Sequence, residues 1–418
     1  MTMTQTTAAT TAPRRQPETL WSADVLIIGG GLVGGTLAAA LAHFGVSSVV
    51  VEASRPAALL EARFDGRASA ISLTSRRLLE AVGLWQWVED EAAPMLDIRV
   101  SDGRSPLFLH FAHDEVGDAP FGHMLENRYL RRAIFHRLGQ LPEVTLLAPA
   151  RVARLERSDT AVDASLAGGG RVRAQLAIAC DGRASPTREE AGIRVTGWRY
   201  GQTAIVCTVE HEKPHHSVAH EHFLPSGPFA ILPLKGNRSS IVWTEREALV
   251  PAIMALDDAG FTEELGRRFG TFLGAIALIG PRWAYPLSLQ YADRVVDRRL
   301  ALAGDSAHGM HPIAGQGLNM GLRDVAALAD VFADAKAAGR DFGERRVLAR
   351  YERWRRFDNA MMLAATDGLN RLFSNDIAPV RLARDLGLAA VNRIPALKRL
   401  FMRHAMGLLG DLPSLMRG

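Results

Sequence analysis

Residues 24–52 read DVLIIGGGLVGGTLAAALAHFGVSSVVVE. Val25–Ile28 is a continuous apolar run, the pattern of a strand buried on both faces. It leads into Gly29-Gly30-Gly31-Leu32-Val33-Gly34. Small apolar residues then predict a helix from about Gly34 to Phe44, with Gly45 placed to end it, and a second buried strand closes at Glu52. Gly29 permits the tight turn, Gly31 lets a pyrophosphate approach the backbone, and Gly34 lets the helix lie close to the strand. Glu52 can accept a hydrogen bond from a ribose hydroxyl and would repel a 2′-phosphate, which argues against NADP here. A lone GxGxxG is a weak signal. Strand, glycines, helix, strand and terminal acid in that order within about 30 residues make a Rossmann-like dinucleotide-binding unit. This unit alone does not separate FAD from NAD.

Two more strand ends extend the reading. Residues 175–188, QLAIACDGRASPTR, run from an apolar strand into Asp181-Gly182, with Ser185 and Arg188 beyond. Residues 300–324, LALAGDSAHGMHPIAGQGLNMGLRD, run from a strand into Gly304-Asp305, then through a Pro/Gly-rich loop into a helix expected over 318–337. An NAD-binding unit needs neither block. A flavin dinucleotide is longer, and its ribityl hydroxyls need acceptors beyond the first βαβ unit. Asp305 supplies one, and Gly304 keeps side-chain bulk away.

In order and spacing, GxGxxG, DGxxSxxR and GD resemble the FAD-dependent aromatic hydroxylases of the p-hydroxybenzoate hydroxylase fold. The run His311-Pro312-Ile313-Ala314-Gly315-Gln316-Gly317-Leu318-Asn319-Met320-Gly321-Leu322-Arg323-Asp324 resembles the signature of the ubiquinone-biosynthesis monooxygenases. Segments 65–85 and 126–135 fit the same group, and the resemblance covers nearly all of the chain after residue 22. It implies an α/β (α+β) fold: a Rossmann-like FAD-binding domain interleaved with an antiparallel β-sheet substrate domain, plus C-terminal helices. It places FAD against Gly29, Gly31, Gly34, Glu52, Asp181, Gly304, Asp305, Gly315, Gly317 and Asn319, with Pro312, Gly315 and Gln316 around the reactive flavin carbon. It also sends Arg67 and Arg128 to the ribityl, phosphate or ribose region. Read without the resemblance, Arg128 at a helix start could equally be solvated. The helix N-terminus should face the pyrimidine edge of the flavin, where reduction places negative charge.

The expected boundaries are a disordered tail (1–22), FAD-binding parts at 23–95, 126–198 and 287–340, substrate-domain strands at 96–125, an antiparallel sheet at 199–286, and C-terminal helices at 341–418. The 199–286 region alternates apolar and polar residues between turn signals. Its segment FLPSGPFAILPL (223–234) is the expected pocket lining, through Phe223, Pro225, Phe229, Leu232 and Pro233. FLGAIALIG (272–280) reads as core or pocket wall, or else as a tunnel for a polyprenyl tail. His211, His215, His216, His220 and His222 cluster without fixed ligand spacing, so no metal is assigned. Asp305, Ser306 and His308 lie on one turn without a G-x-S-x-G elbow, against a hydrolytic triad.

Composition limits the alternatives. A formal charge of +4 and no aromatic-plus-basic motif argue against a nucleic-acid partner. Cys180 and Cys207 are the only cysteines, both in apolar runs, so no disulfide framework is expected. The first twenty residues are Thr/Ala-rich without an apolar core. A secretory signal is not expected there, and a mitochondrial presequence is supported only by Arg14 and Arg15. From Val380 to Gly418 there are seven Lys/Arg and two acids, interleaved with Leu, Phe and Met. Helices over 342–373 and 377–406 are expected. The second could lie on an anionic membrane, dock a partner of a ubiquinone-biosynthesis complex, or simply pack.

The resemblance implies hydroxylation of a polyprenylated phenol. NAD(P)H would be a transient co-substrate reducing FAD, and O₂ would react through a C4a-hydroperoxide. No general base is singled out by spacing. A same-fold reductase of prenyl double bonds, a hydroxylase of another small phenol, and a flavin-bound scaffold are the rivals. The expected location is the cytoplasm, peripheral on the inner face of the membrane, with the mitochondrial matrix as the alternative.

Overall fold

The computed structural model describes residues 19–56, 64, 66–103, 108–310, 315–373, 387 and 391–418. Its central sheet has six strands in the order Val296–Asp297, Leu300–Leu302, Leu176–Ala179, Val25–Ile28, Ser48–Val51, Val144–Leu147. All neighbours are parallel except the Val296–Asp297 edge pair. Four of these strands are buried at every residue, which explains why every one of their residues but Ser48 is apolar. The Leu32–His43 helix follows the first of them and packs between the Gln316–Ala337 and Asn127–Leu138 helices.

Three adjacent parallel strands end in register, Ile28 beside Ala179 and Ala179 beside Leu302. Gly29, Asp181 and Gly304 therefore come together at one carboxyl edge of the sheet, where open α/β sheets place their ligands.

The second large sheet has eight strands, in the order His308–Gly309, Ile276–Ala292, Val195–His211, Arg238–Arg246, Gly227–Leu234, Val218–Leu224, Asp97–Asp102, Phe108–Ala112. It is antiparallel except where Val218–Leu224 meets Asp97–Asp102. Its two longest strands reach Val195 and Ala292, beyond the expected limits of 199 and 286. Both continue past a register shift at Arg199/Thr203 to pair Val195–Arg199 with Ser288–Ala292. One face packs on the Asp258–Phe269 helix through Phe229, Ile231, Trp243, Phe261 and Leu265. The short His308–Gly309 strand ties the segment after Asp305 into this sheet, so the two sheets share one corner.

Two expectations need correction. The tail does not extend to residue 22: Leu20–Ser22 is a strand paired in parallel with Arg171–Ala174, next to the Gly168–Gly170 hairpin turn. Trp21 lies 2.6 Å from where a Cβ on Gly170 would sit. Residues 1–18 lie outside the described residues. The second C-terminal helix is not one rod over 377–406. Ile394 is extended and Pro395 opens a new helix, Pro395–Ala405, because proline disfavours helical geometry in the residue before it. Residues 374–386 and 388–390 lie outside the described residues. The preceding helix spans Arg345–Phe373. Among the described residues no helix is long and apolar enough to cross a membrane.

Candidate functional site

The glycine loop shows three different reasons for glycine. Gly29 has φ +100°, and a Cβ there would lie 2.4 Å from the Cys180 carbonyl oxygen. A Cβ on Gly34 would lie 1.9 Å from the Gly29 oxygen, so this glycine sets the contact between helix and loop. Gly31 is different: nothing lies within 4 Å of its Cβ position. It is the N-cap of the Leu32–His43 helix and supplies no side-chain cap, so the first-turn N–H groups face open space. This is a ready anion site. Glu52 lies beside the loop, accepting from Gly30 N at 2.8 Å and Ser54 N at 2.7 Å.

The second tip is fixed by its own block. Ser185 caps the short Pro186–Glu190 helix by accepting from Arg188 N at 3.0 Å. The buried Arg188 guanidinium donates to Arg183 O at 2.9 Å and Ser306 O at 3.1 Å, joining the second tip to the third. Asp181 Oδ2 accepts from Thr187 N, while its buried Oδ1 has no partner. Such an orphaned acceptor calls for a donor from a ligand. Gly182 beside it, φ +87°, is open. Asp305 is exposed to the crevice.

The third tip is held by Asp324, a residue quoted in the signature without a role. It is wholly buried. It accepts from Gly304 N at 3.0 Å and Arg355 Nε at 2.7 Å, and its Oδ2 lies 2.6 Å from His308 Nε2. Burial alone would raise its pKa, but His308 and Arg355 outweigh burial and hold it down at about 2. Gly304 (φ +65°) is required by its backbone and by Val33, which a Cβ would meet at 3.0 Å. Steric room for the dinucleotide is thus not its main demand.

Gly315 caps the Gln316–Ala337 helix in the left-handed region, φ 62°, again without a side-chain cap. Gly317 is open. Two uncapped helix N-termini therefore line one cavity. Asn319 is a latch: its amide donates to Ala70 O and accepts from Ser72 N, both at 3.0 Å, tying the helix start to the Ala68–Ser72 strand. Arg67 and Gln316 also line the cavity, and Arg67 sits over the Trp283 ring. Arg128 is not brought there. It pairs with Glu126 at 2.7 Å and with Tyr129 Oη at 2.9 Å, while its neighbour Asn127 faces the cavity. Pro312 lies outside the described residues.

The cavity, about 1450 Å³, continues from this crevice over the eight-stranded sheet. Strand alternation decides which expected pocket residues face it. Phe223 and Leu232 do. Phe229 lies on the opposite face, 6.5 Å from Trp243, and Pro233 shares its parity. Pro225 is exposed in the turn. The 272–280 segment contributes nothing to the cavity lining: Leu273, Ile276 and Leu278 pack under the sheet instead. The apolar wall comes from Met361, Leu369, Leu372, Leu400 and Phe401 on the two C-terminal helices. Glu221, unremarked in the sequence, also lines this floor. Its signal there was only its phase, two residues from Phe223 and two from Ala219. The histidine cluster divides between hydrogen bonds and ring contacts, such as His211 to Ser239 and His220 against Phe272. Among the described residues no group is placed to hold a metal.

The open glycines, the orphaned Asp181 oxygen and two converging helix N-termini fit a flavin dinucleotide, and the adjoining floor fits an apolar substrate. These features define the class of FAD-dependent aromatic hydroxylases. The comparisons specify it further. A family model described as "FAD binding domain" matches residues 22–364. The ubiquinone hydroxylase UbiL of Rhodospirillum rubrum is 60% identical, over 95% of this chain and 93% of its own. The 3-demethoxyubiquinol 3-hydroxylase of Escherichia coli is 36% identical, over 92% and 98%. The human mitochondrial ubiquinone biosynthesis monooxygenase COQ6 is 32% identical, over 91% and 92%. The crystal structure of p-nitrophenol 4-monooxygenase PnpA from Pseudomonas putida superposes with a TM-score of 0.79, at 21% identity, over 94% and 99%, which bears on the fold alone. The chain belongs to the FAD-dependent ubiquinone-biosynthesis monooxygenase family.

Proposed function

We propose that this monooxygenase hydroxylates the aromatic ring of a polyprenylated phenol in ubiquinone biosynthesis, with NAD(P)H as transient reductant and O₂ as co-substrate. The observation that carries the reading is the continuity of one cavity from the dinucleotide crevice to an apolar floor. Bound FAD would supply the redox chemistry, placing one oxygen atom of O₂ on the ring and releasing the other as water. Gly31, Gly182, Asp181, Asp305 and the open helix ends would hold that cofactor. The N-termini at Gly31 and Gly315 favour negative charge, on the pyrophosphate and on the reduced ring respectively. The floor excludes water and holds the phenol.

The cavity mouth supports a lipid substrate. Met361, Leu372, Leu400 and Phe401 line the cavity and are also 43–55% exposed, an apolar rim next to exposed Arg393, Arg399 and Arg403. We take this rim to rest on an anionic membrane surface and to pass the prenyl tail. The same rim would serve a docked partner of a biosynthetic complex. Deleting the gene and identifying the accumulated quinone precursor by mass spectrometry tests the reading. Accumulation of a precursor lacking one ring hydroxyl is expected. An unchanged quinone profile, or purified enzyme that turns over without consuming O₂, refutes it.

A further inference from the structure

Glu221 sits where the sheet offers otherwise apolar side chains. Pairing places Val206, Val242, Ala230, Glu221, Val100 and Leu109 in one row across the cavity face. Its same-face neighbours on its own strand are Ala219 and Phe223. Among the described residues no hydrogen bond or ion pair reaches its carboxyl. Burial raises its pKa to about 7, with no charged neighbour contributing. The ionisable groups around it are accounted for. On the adjacent strands the one acid near its row is Asp102, paired beside Phe223. The Arg345–Phe373 helix lines the cavity with Met, Ala, Thr, Leu and Phe, and the Pro395–Ala405 helix brings His404. The crevice brings Arg67, Arg183, Asp305 and His308, and Tyr285 lies toward the far strands. His220, on Glu221's strand, lies tilted against Phe272 and stacked on His222.

A carboxyl without a partner among apolar side chains is costly to ionise, so its half-buried place on this floor asks for a ligand with a proton to share. Resting on the functional reading above, we propose that Glu221 accepts the phenolic proton of the substrate. The phenol O–H bond breaks, its electron pair stays on the oxygen as phenolate, and a carboxyl O–H bond forms on Glu221. The phenolate raises electron density at the ring carbons ortho and para to it, which then attack the electrophilic oxygen supplied at the flavin. As the hydroxylated ring becomes aromatic again, its displaced C–H proton leaves to water and the Glu221 proton returns to the ring oxygen. A base poised near neutrality suits such a transfer.

The test uses FAD-loaded wild type, Glu221→Gln and Glu221→Asp, with a single-isoprene prenylphenol in detergent as probe. Wild-type kcat/KM for hydroxylated product should rise with pH through a limb near 7. Glu221→Gln should lose that limb and about a hundredfold in product rate. It should still bind FAD, still oxidise NAD(P)H without product, and unfold no more easily than wild type. Glu221→Asp should restore part of the rate and the limb. Wild-type rates and an intact limb in Glu221→Gln overturn the proposal while leaving the functional reading standing. Marked destabilisation of Glu221→Gln also overturns it, since that is the mark of a structural role. If wild type yields no hydroxylated product, the functional reading falls and this inference with it.

Discussion

Replacing Asp324 by Asn tests the hub that joins the third strand tip to the long helices. Asp324 and Arg355 are respectively 0% and 2% exposed, and they meet at 2.7 Å. Breaking a buried pair by removing one charge costs about 3–5 kcal/mol. Arg355 keeps Asp358 at 2.8 Å and Asn359 at 2.6 Å, so the loss should sit at the low end, about 3 kcal/mol. Adding Arg355→Met also takes the donor from Asp358 and from the buried Asn359 Oδ1, so the double variant should be less stable than the single one. The assay is urea unfolding followed by tryptophan fluorescence, at one fixed excess of FAD because bound cofactor adds apparent stability. The pH dependence has a definite sign. The folded pKa, about 2, lies below the ordinary aspartate value of 3.8, so the contribution is complete above about pH 4 and is lost as pH falls through 2. In the Asn variant this acid limb should flatten. A single variant within about 1 kcal/mol of wild type, against the 3 expected, or a double variant more stable than the single, would refute the reasoning.

The two kinds of glycine should separate cleanly. Gly31→Ala has an open Cβ site and should leave the apoprotein unchanged or up to about 1 kcal/mol more stable, yet weaken FAD binding at least tenfold, read by flavin fluorescence. Gly34→Ala drives a Cβ into the Gly29 carbonyl and should damage both fold and flavin content; equal stability loss in the two variants would contradict this distinction. Gly315→Ala combines φ 62° with a 2.9 Å approach to Ala70, and should cost about 1–3 kcal/mol and slow flavin uptake. Arg393→Gln/Arg399→Gln/Arg403→Gln, at exposed positions outside the cavity lining, should reduce flotation with phosphatidylglycerol vesicles while soluble-probe turnover persists; undiminished flotation would remove the rim as the membrane contact.

What the sequence settled on its own was local. Val25–Ile28, Leu176–Ala179 and Leu300–Leu302 announce themselves because strands covered on both faces need apolar residues at every position. The glycines announce themselves because a left-handed turn or a close backbone approach excludes side chains at fixed spacing. Each demand falls on the identity of the residue itself, even where the group that crowds it is distant, as Cys180 is from Gly29, so it is written in order along the chain. Tertiary structure decided matters of facing and partnership. Phe223 and Phe229 look equally suited to a pocket, and strand parity sends one to the cavity and the other to the Asp258–Phe269 helix. Asp324 reads as one more helix acid until Arg355, 31 residues away, is folded against it. Glu221 carries no sign of its place in the sequence until its two neighbouring strands set Ala230 and Val100 on either side of it on the cavity floor. Burial and pairing are properties of the surroundings, and for these residues the surroundings come from distant segments that meet only in the folded chain.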